Sequence, residues 1–322
     1  MVWTRYGPPE VLQLREVARP APRRGEILVR IRATTVSAGD CEMRGLRVSL
    51  GLRILFRAWF GVLRPRPRIL GQEFAGQVEA TGPEVTSFHV GDPVFGTTGF
   101  GFGAYAEYLC VPERPRGAAL SIRPANLNFE EAAAVPTGAL EALHFLRRAG
   151  PLRGRDVLIN GAGGGIGLFA IQLAKHFGAD VTAVDSTDKL DLLRSVGADR
   201  VIDFTREDFT KLGAKFDVVY DSVGTSSIPG TLSVLRDNGR DLMGNATLST
   251  RLGALGRSGR SGKQLLFGAG TQTSEELDFL RRLIETGKVR PVIDRRFPLE
   301  ELAEAHRFFE AGRARGRVIV TV

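Results

Sequence analysis

The stretch Val157-Leu158-Ile159-Asn160-Gly161-Ala162-Gly163-Gly164-Gly165-Ile166-Gly167 constrains this chain more than any other. An uncharged, branched run leads into a glycine cluster and then into an apolar segment that starts at Leu168. The pattern reads as a buried parallel strand, a tight turn and a helix start. Glycines let backbone amides approach an anion closely. The helix behind them offers unpaired N–H groups and the positive end of its dipole. A glycine pattern alone is a weak signal, and an ordinary glycine loop would look the same. The context decides. A second strand, Asp180 to Val184, ends at Asp185, 18 residues after Gly167. That is near the offset of about 20 residues at which an acid meets an adenosine ribose.

Gly161, Gly163, Gly164, Gly165, Ile166 and Gly167 are therefore candidate dinucleotide-binding residues, with the pyrophosphate expected over Gly164 to Gly167. Asp185 would accept the ribose hydroxyls of NAD(H) and repel a 2′-phosphate. Ser186, Thr187 and Lys189 could hold the 2′-phosphate of NADP(H) if Asp185 points away. A third reading makes Asp185 only a turn residue that caps the next helix. Both nicotinamide cofactors stay open at this point.

From Val157 onward strands alternate with helices. Strands are expected at 156–160, 180–185, 200–203, 216–220, 239–243 and 264–268, with helices near 166–177, 187–196 and 226–236. Strands spaced this way imply a doubly wound parallel sheet, an α/β architecture. The region before Pro124 is mostly β, with Glu26–Ala33 and Ala104–Val111 as its clearest alternating strands. Asn128 with Glu131 forms a helix-capping signal, Pro136 interrupts that helix, and Thr137 is expected to cap the next. The end of the chain carries helices at 274–286 and 299–311 and a strand from Arg317 to Val320.

At 322 residues the chain has room for two domains. No apolar run suggests a secretory signal or a membrane span, and the two cysteines, Cys41 and Cys110, suggest no disulfide scaffold. A cytoplasmic protein with reduced thiols is expected. The net charge of +8 is local. Seven arginines and no acid lie between Met43 and Gln72: Arg44, Arg47, Arg53, Arg57, Arg64, Arg66 and Arg68. A second basic stretch, Arg251 to Lys263, is rich in Ser and Gly and reads as a mobile loop.

Within 46–63, Leu52, Leu55, Phe56, Trp59, Phe60 and Leu63 recur at helical spacing and predict one apolar face. Arg53, Arg57 and Arg64 fall between them. One reading is an amphipathic surface helix that caps a cleft. The other is contact with an anionic membrane or a lipophilic ligand. Nucleic acid is not indicated, since no aromatic stacking platform accompanies the basic run.

Several further motifs recur in order along the chain. They are Gly71-x-Glu73-x-x-Gly76-x-Val78-x-x-x-Gly82, Gly91-Asp92-Pro93-Val94, Ala104-Tyr105-Ala106-Glu107-Tyr108, Asp221-Ser222-Val223-Gly224, and Arg290-Pro291-Val292-Ile293-Asp294 with Ala305-His306. With Asn160 to Gly167, they make the chain resemble the medium-chain dehydrogenase/reductase superfamily, in its zinc-independent quinone-oxidoreductase-like branch. The resemblance implies a GroES-like β-rich substrate domain, 1–125 with 268–322, and a Rossmann cofactor domain, 126–267, with the active site in the cleft between them. It also implies cofactor contacts at Val223 and Arg317 and a homodimer built on the Rossmann sheet edge.

The zinc alcohol dehydrogenases of that superfamily carry metal ligands where this chain has Ser37, Gln72 and Pro136, and they add a four-cysteine lobe that is absent here. Serine and glutamine are poor zinc ligands and a proline side chain is none, so no metal is expected. Without a Lewis acid, the resemblance implies an oxidoreductase moving hydride from NAD(P)H to a quinone or an α,β-unsaturated carbonyl. The proton donor stays unassigned, with Asp40, Glu42, Thr137 and Glu141 as candidates. A competing reading keeps the cofactor fold but little catalysis, with the basic helix of 46–63 engaging a membrane or a partner.

Overall fold

The computed structural model describes residues 1–48, 50–62, 65–66, 68–244, 262–268, 270 and 272–322. In chain order the strands are β1 (Val2–Trp3), β2 (Leu12–Gln13), β3 (Glu26–Val36), β4 (Glu73–Thr81), β5 (Pro93–Thr97), β6 (Tyr108–Pro112), β7 (Ala119–Ile122), β8 (Asp156–Asn160), β9 (Asp180–Asp185), β10 (Arg200–Asp203), β11 (Phe216–Asp221), β12 (Leu235–Met243), β13 (Gln264–Phe267), β14 (Ile293–Pro298) and β15 (Arg317–Thr321). The helices are α1 (Ala38–Gly45), α2 (Leu50–Phe60), α3 (Phe129–Ala133), α4 (Pro136–Arg148), α5 (Gly167–His176), α6 (Leu190–Ser195), α7 (Ile228–Val234), α8 (Ser274–Glu285) and α9 (Leu302–Glu310). Among the described residues no helix is long and apolar enough to cross a membrane.

The chain divides into two units. One comprises Met1–Thr137, Gln272–Gly287 and Pro291–Val322, and the other Gly138–Thr271 and Lys288–Arg290. The first boundary falls after Thr137, later than the 125 expected from sequence. The cause is local: α3 packs on the strands of the first unit, and the Asn126 side chain donates to the Ile284 carbonyl at 2.9 Å.

The first unit is built on a seven-stranded sheet in the order β14-β15-β3-β4-β5-β7, with β6 paired to β3. β3 is its spine, because it pairs antiparallel with β15, β4 and β6 along its length. Alternation along β3 sends Ile27, Val29 and Ile31 into a core with Phe74, Val78, Val94 and Leu120. A second core gathers Trp3, Val36, Phe60, Phe102, Tyr105, Leu302 and Val318.

One buried ion pair crosses this sheet. Glu73 of β4 is fully buried, and its carboxylate receives the Arg317 guanidinium from β15 and the Thr35 hydroxyl from β3. Its second oxygen accepts the Thr137 N–H at 2.8 Å. Charges taken from water at such a site need their lone pairs engaged, and three donors converge here to do that.

The second unit carries six parallel strands in the order β10-β9-β8-β11-β12-β13. The two crossovers that run outward from β8 on either side mark this as a doubly wound nucleotide-binding sheet. Its strands lie within one or two residues of expectation except β12, which starts at Leu235 and takes in residues expected to be helical. α7 is correspondingly short.

Two local expectations differ from the structure. Thr137 does not cap α4, because the helix begins at Pro136 and Thr137 is already in its first turn. Proline suits that position, since its missing N–H would have no partner there. The apolar residues of 46–63 do not share one face. Phe60 is buried and Phe56 packs beside it, whereas Leu55 and Trp59 are exposed together with Ile54. Leu63 and Arg64, and 251–261 of the second basic stretch, lie outside the described residues.

The buried pair makes a direct prediction. Arg317→Met should lower the unfolding free energy of the cofactor-free protein by about 3–5 kcal/mol, because it strands the Glu73 carboxylate. Adding Glu73→Gln should return much of that loss. Denaturant unfolding of the two variants checks both, and an unchanged midpoint for Arg317→Met would show that the pair does not hold the sheet.

Candidate functional site

In the second unit, β8 ends at Asn160 and the neighbouring β11 ends at Asp221, register partners on adjacent strands. Strand order reverses here, and the carboxyl ends of such strands are where open parallel sheets bind ligands. The glycine turn leaves β8 with Gly161 at φ +72°, a left-handed conformation that glycine adopts without strain. The Gly161 and Ala162 N–H groups donate back to the Val184 carbonyl, both at 3.1 Å. At the helix entrance, a Cβ on Gly167 would fall 2.5 Å from the Gly161 carbonyl and 2.6 Å from the Ala162 backbone, so α5 can approach only with glycine there.

The N–H groups of Gly165, Ile166 and Gly167 have no acceptor among the described residues. They stand at the start of the ten-residue α5. Three unpaired donors at a helix N-terminus form a cradle for an anion. A cavity of about 870 Å³ opens beside it, lined by Asn160, Gly161, Gly164, Asp185, Lys189, Phe204 and Val223 among others. These residues fit a dinucleotide.

Asp185 is almost wholly buried at the end of β9. Its carboxylate accepts from the Gly163 N–H at 2.7 Å and the Ser186 N–H at 2.9 Å, and Lys189 Nζ stands 3.5 Å away. The acid thus fixes the glycine turn while its charge stays at the ribose end of the cavity. The Ser186 hydroxyl donates to Asp188 at 2.6 Å, and the Thr187 hydroxyl donates to Asp203. Both hydroxyls are already directed at carboxylates, which leaves Lys189 as the one expected 2′-phosphate contact not given to a local acid other than Asp185.

Asp221 organises the opposite rim. Its oxygens accept from the N–H groups of Val223, Gly224 and Ser226 and from the Asn160 amide. This presents Val223 over Gly161 with nearly half of its surface exposed. Phe204, Glu207, Asp208, Phe209, Thr210, Ser226 and Ser227 also line the cavity and were not foreseen. Phe204 had a usable signal: an aromatic residue directly after β10, at the carboxyl end of a parallel strand. It is 58% exposed and lines the cavity.

In the first unit, Ser37 and Asp40 form a reciprocal cap on α1. The Ser37 hydroxyl donates to Asp40 Oδ2 at 2.6 Å, and the Ser37 N–H reaches the same oxygen at 3.1 Å. Asp40 is fully buried, and its pKa rises from 3.8 to about 6. Burial is the main cause, the Ser37 hydroxyl opposes it, and the Glu73 charge adds to it. Gln72 donates to the Gly99 carbonyl at 3.1 Å and flanks Gly39 with Ser37. Ser37, Gln72 and Pro136 therefore present a committed hydroxyl, a committed amide and a ring, a donor set that does not fit zinc. Among the described residues no cluster of three or more His, Cys, Asp or Glu is placed to hold a metal.

The remaining candidates separate. Glu42 lies on the outward side of α1, with its carboxyl pushed up by the protein bulk around it. The Thr137 hydroxyl oxygen is buried without a partner among the described residues. Glu141, in the second unit, accepts the Gly270 N–H at 2.8 Å. Burial pushes its carboxyl up and that hydrogen bond holds it down. Arg317, expected at a cofactor phosphate, has its guanidinium committed to Glu73 and Thr35 instead.

Two family models match. One described as "Alcohol dehydrogenase GroES-like domain" covers residues 23–118, and one described as "Zinc-binding dehydrogenase" covers 196–320. A 2-methylene-furan-3-one reductase from Solanum lycopersicum is 36% identical over 99% of this chain and 77% of its own length. A quinone oxidoreductase from Pseudomonas aeruginosa is 37% identical over 98% of this chain and 97% of its own. The solved quinone oxidoreductase from Coxiella burnetii superposes with a TM-score of 0.88 at 28% identity, covering 100% of this chain and 98% of that one.

The Asp40 carboxyl sets a pH dependence. Its folded pKa is raised, so the folded state holds more protons between pH 3.8 and about 6. Stability is full below that window and falls as pH rises through it. The slope amounts to about 3 kcal/mol across the window. Asp40→Asn removes it, so the variant should gain on the wild type from pH 4 to pH 7 in denaturant titrations. A constant difference over that range would refute the assignment.

Proposed function

The chain belongs to the medium-chain dehydrogenase/reductase superfamily, in its quinone-oxidoreductase-like branch, and from that premise we propose a zinc-free, nicotinamide-dependent reductase of quinones or α,β-unsaturated carbonyls. The observation that carries the reading is the anion cradle of Gly165 to Gly167 at the switch point of a parallel sheet. A bound nicotinamide cofactor supplies hydride. This chain's part is to hold the pyrophosphate on those amides, the ribose end near Asp185 and Lys189, and the rest of the cofactor beside Val223.

The acceptor class follows from two arguments. One relative is named for reducing a 2-methylene-furan-3-one, an activated alkene, and another for reducing quinones. Both acceptors are conjugated and take hydride without a metal to polarise the carbonyl. The donor set at Ser37, Gln72 and Pro136 agrees with that chemistry. A reduced quinone can take its proton from water, so the reaction does not require one of the four carboxyl and hydroxyl candidates.

NADH is the preferred donor in this reading. The ribose end carries the carboxylates of Asp185, Glu207 and Asp208 against the single amine of Lys189. A 2′-phosphate placed there meets like charge. Among the described residues β13 is the last strand of the parallel sheet, and edge pairing with a second copy would give the expected homodimer. Both cysteines are free, in keeping with a reducing compartment such as the cytoplasm.

The test is oxidation of NADH and NADPH by the purified protein with a panel of quinones and enones. Turnover is expected, with kcat/KM favouring NADH by at least about tenfold. No turnover and no cofactor binding would reject the reading. Phe204→Ala should raise the cofactor KM about tenfold with kcat near the wild-type value, as loss of one base-stacking ring would. An unchanged KM would remove Phe204 from the site.

A further inference from the structure

α2 is more apolar than its own unit requires. Phe56 and Phe60, one turn apart, turn toward the core, where Phe60 meets buried Phe102, and both rings also touch the exposed Phe100. The opposite side of the same helix carries Ile54, Leu55 and Trp59, followed by Val62 just beyond its end. These are 65%, 55%, 72% and 63% exposed. Ile54 and Ala58, and Leu55 and Trp59, are each four residues apart and so form one continuous stripe along the helix. A helix that only covered its own core would place polar residues there.

The charges around the stripe say what covers it. Arg47 precedes the helix, Arg53 and Arg57 lie on it, and Arg66 and Arg68 follow it, with no acid between Met43 and Gln72. The Arg66 N–H bonds to the Phe60 carbonyl, which holds the following arginines at the helix end. Arg47 shares Glu310 with Arg44, and Arg57 lies over the Tyr6 ring. Arg53, Arg66 and Arg68 are exposed and have no acidic partner among the described residues. A protein partner would need acids to match these arginines and apolar groups to match the stripe. An anionic lipid surface provides both at once, headgroup charge outside and acyl chains beneath.

We propose that α2 is an interfacial anchor, laying Ile54, Leu55, Trp59 and Val62 into the surface of a bilayer that contains anionic phospholipid, with the surrounding arginines at headgroup level. The inference does not rest on the reductase reading, and its readout does not require turnover. The contact is peripheral and reversible, because one short helix buries too little apolar surface for permanent insertion.

The experiment uses the full-length protein and sedimented vesicles of phosphatidylcholine, with or without phosphatidylglycerol. The protein should pellet with the anionic vesicles, and raised salt should release it. The chain has two tryptophans, and Trp3 is 1% exposed, so a blue shift of tryptophan emission on adding vesicles reports Trp59. Leu55→Ser with Trp59→Ser should weaken binding at least about tenfold. Arg53→Glu with Arg66→Glu should abolish the preference for anionic vesicles. These residues are exposed, and circular dichroism checks that each variant folds.

Absence of sedimentation, or binding that the serine variant leaves intact, would overturn the proposal. So would a wild-type oligomer that ignores lipid and falls apart in the serine variant, which would assign the stripe to a second copy of the chain. A soluble-acceptor KM that rises sharply in that variant, without any lipid binding, would assign it to a substrate cover and likewise overturn the anchor.

Discussion

The Glu73 carboxylate is the constraint on which the first unit depends. A fully buried charge survives only if its lone pairs are filled, and here the fillers come from three separate stretches of chain. Arg317 arrives from the last strand, Thr35 from the first long one, and the Thr137 N–H from the start of α4. Each lies far from the others in sequence. The pair therefore adds little stability over an apolar core of the same shape, yet it strongly penalises any arrangement that leaves one member unpaired. It fixes register among β3, β4 and β15 and pins Thr137, the last residue of the first unit's first segment. The motif Gly71-x-Glu73-x-x-Gly76 thus encodes a packing device around its acid as well as a strand.

The second unit uses the same device with different partners. Asp221 and Asp185 are both buried acids that receive backbone N–H groups from the loops that follow strands. Asp221 shapes the rim that carries Val223, and Asp185 ties the end of β9 to Gly163. Carboxylates satisfied chiefly by backbone amides hold a loop through donors that cannot swing away. The glycine turn is consequently braced from both sides, while the amides of Gly165 to Gly167 are left over for an incoming anion. A turn braced in this way requires little reorganisation when a phosphate arrives.

The parallel sheet was legible because period and spacing are local properties: uncharged runs followed by helices announce themselves within a window of a dozen residues. The glycine turn and Asp185 were legible as a pair for the same reason. What Asp185 does was not, since its bond to Gly163 joins positions 22 residues apart. Arg317 shows the limit more sharply. Position within a family pattern suggested a phosphate, while the residue that claims its guanidinium lies 244 positions away. Thr137 was misread as a cap because cap and first-turn residues share a composition, and the proline before it already starts the helix. In α2, spacing correctly marked a helix. Which of its two apolar sides faces protein depended on Phe102, a contact no periodicity reports.

That last case bears on how the net charge should be understood. The basic excess resides almost wholly in the segment around α2, so it is not a property of the surface as a whole. Elsewhere the charges of both signs are interspersed, and some arginines share two acids, as Arg236 does with Asp156 and Asp217 and Arg281 with Asp278 and Glu285. Arg53, Arg66 and Arg68, without an acidic partner among the described residues and close to exposed Ile54, Leu55 and Trp59, put two costs in one place. Exposed apolar surface favours aggregation, and clustered like charge opposes folding. The two costs fall together when one surface offers anions and hydrocarbon at the same depth, and the interfacial region of an anionic bilayer is such a surface.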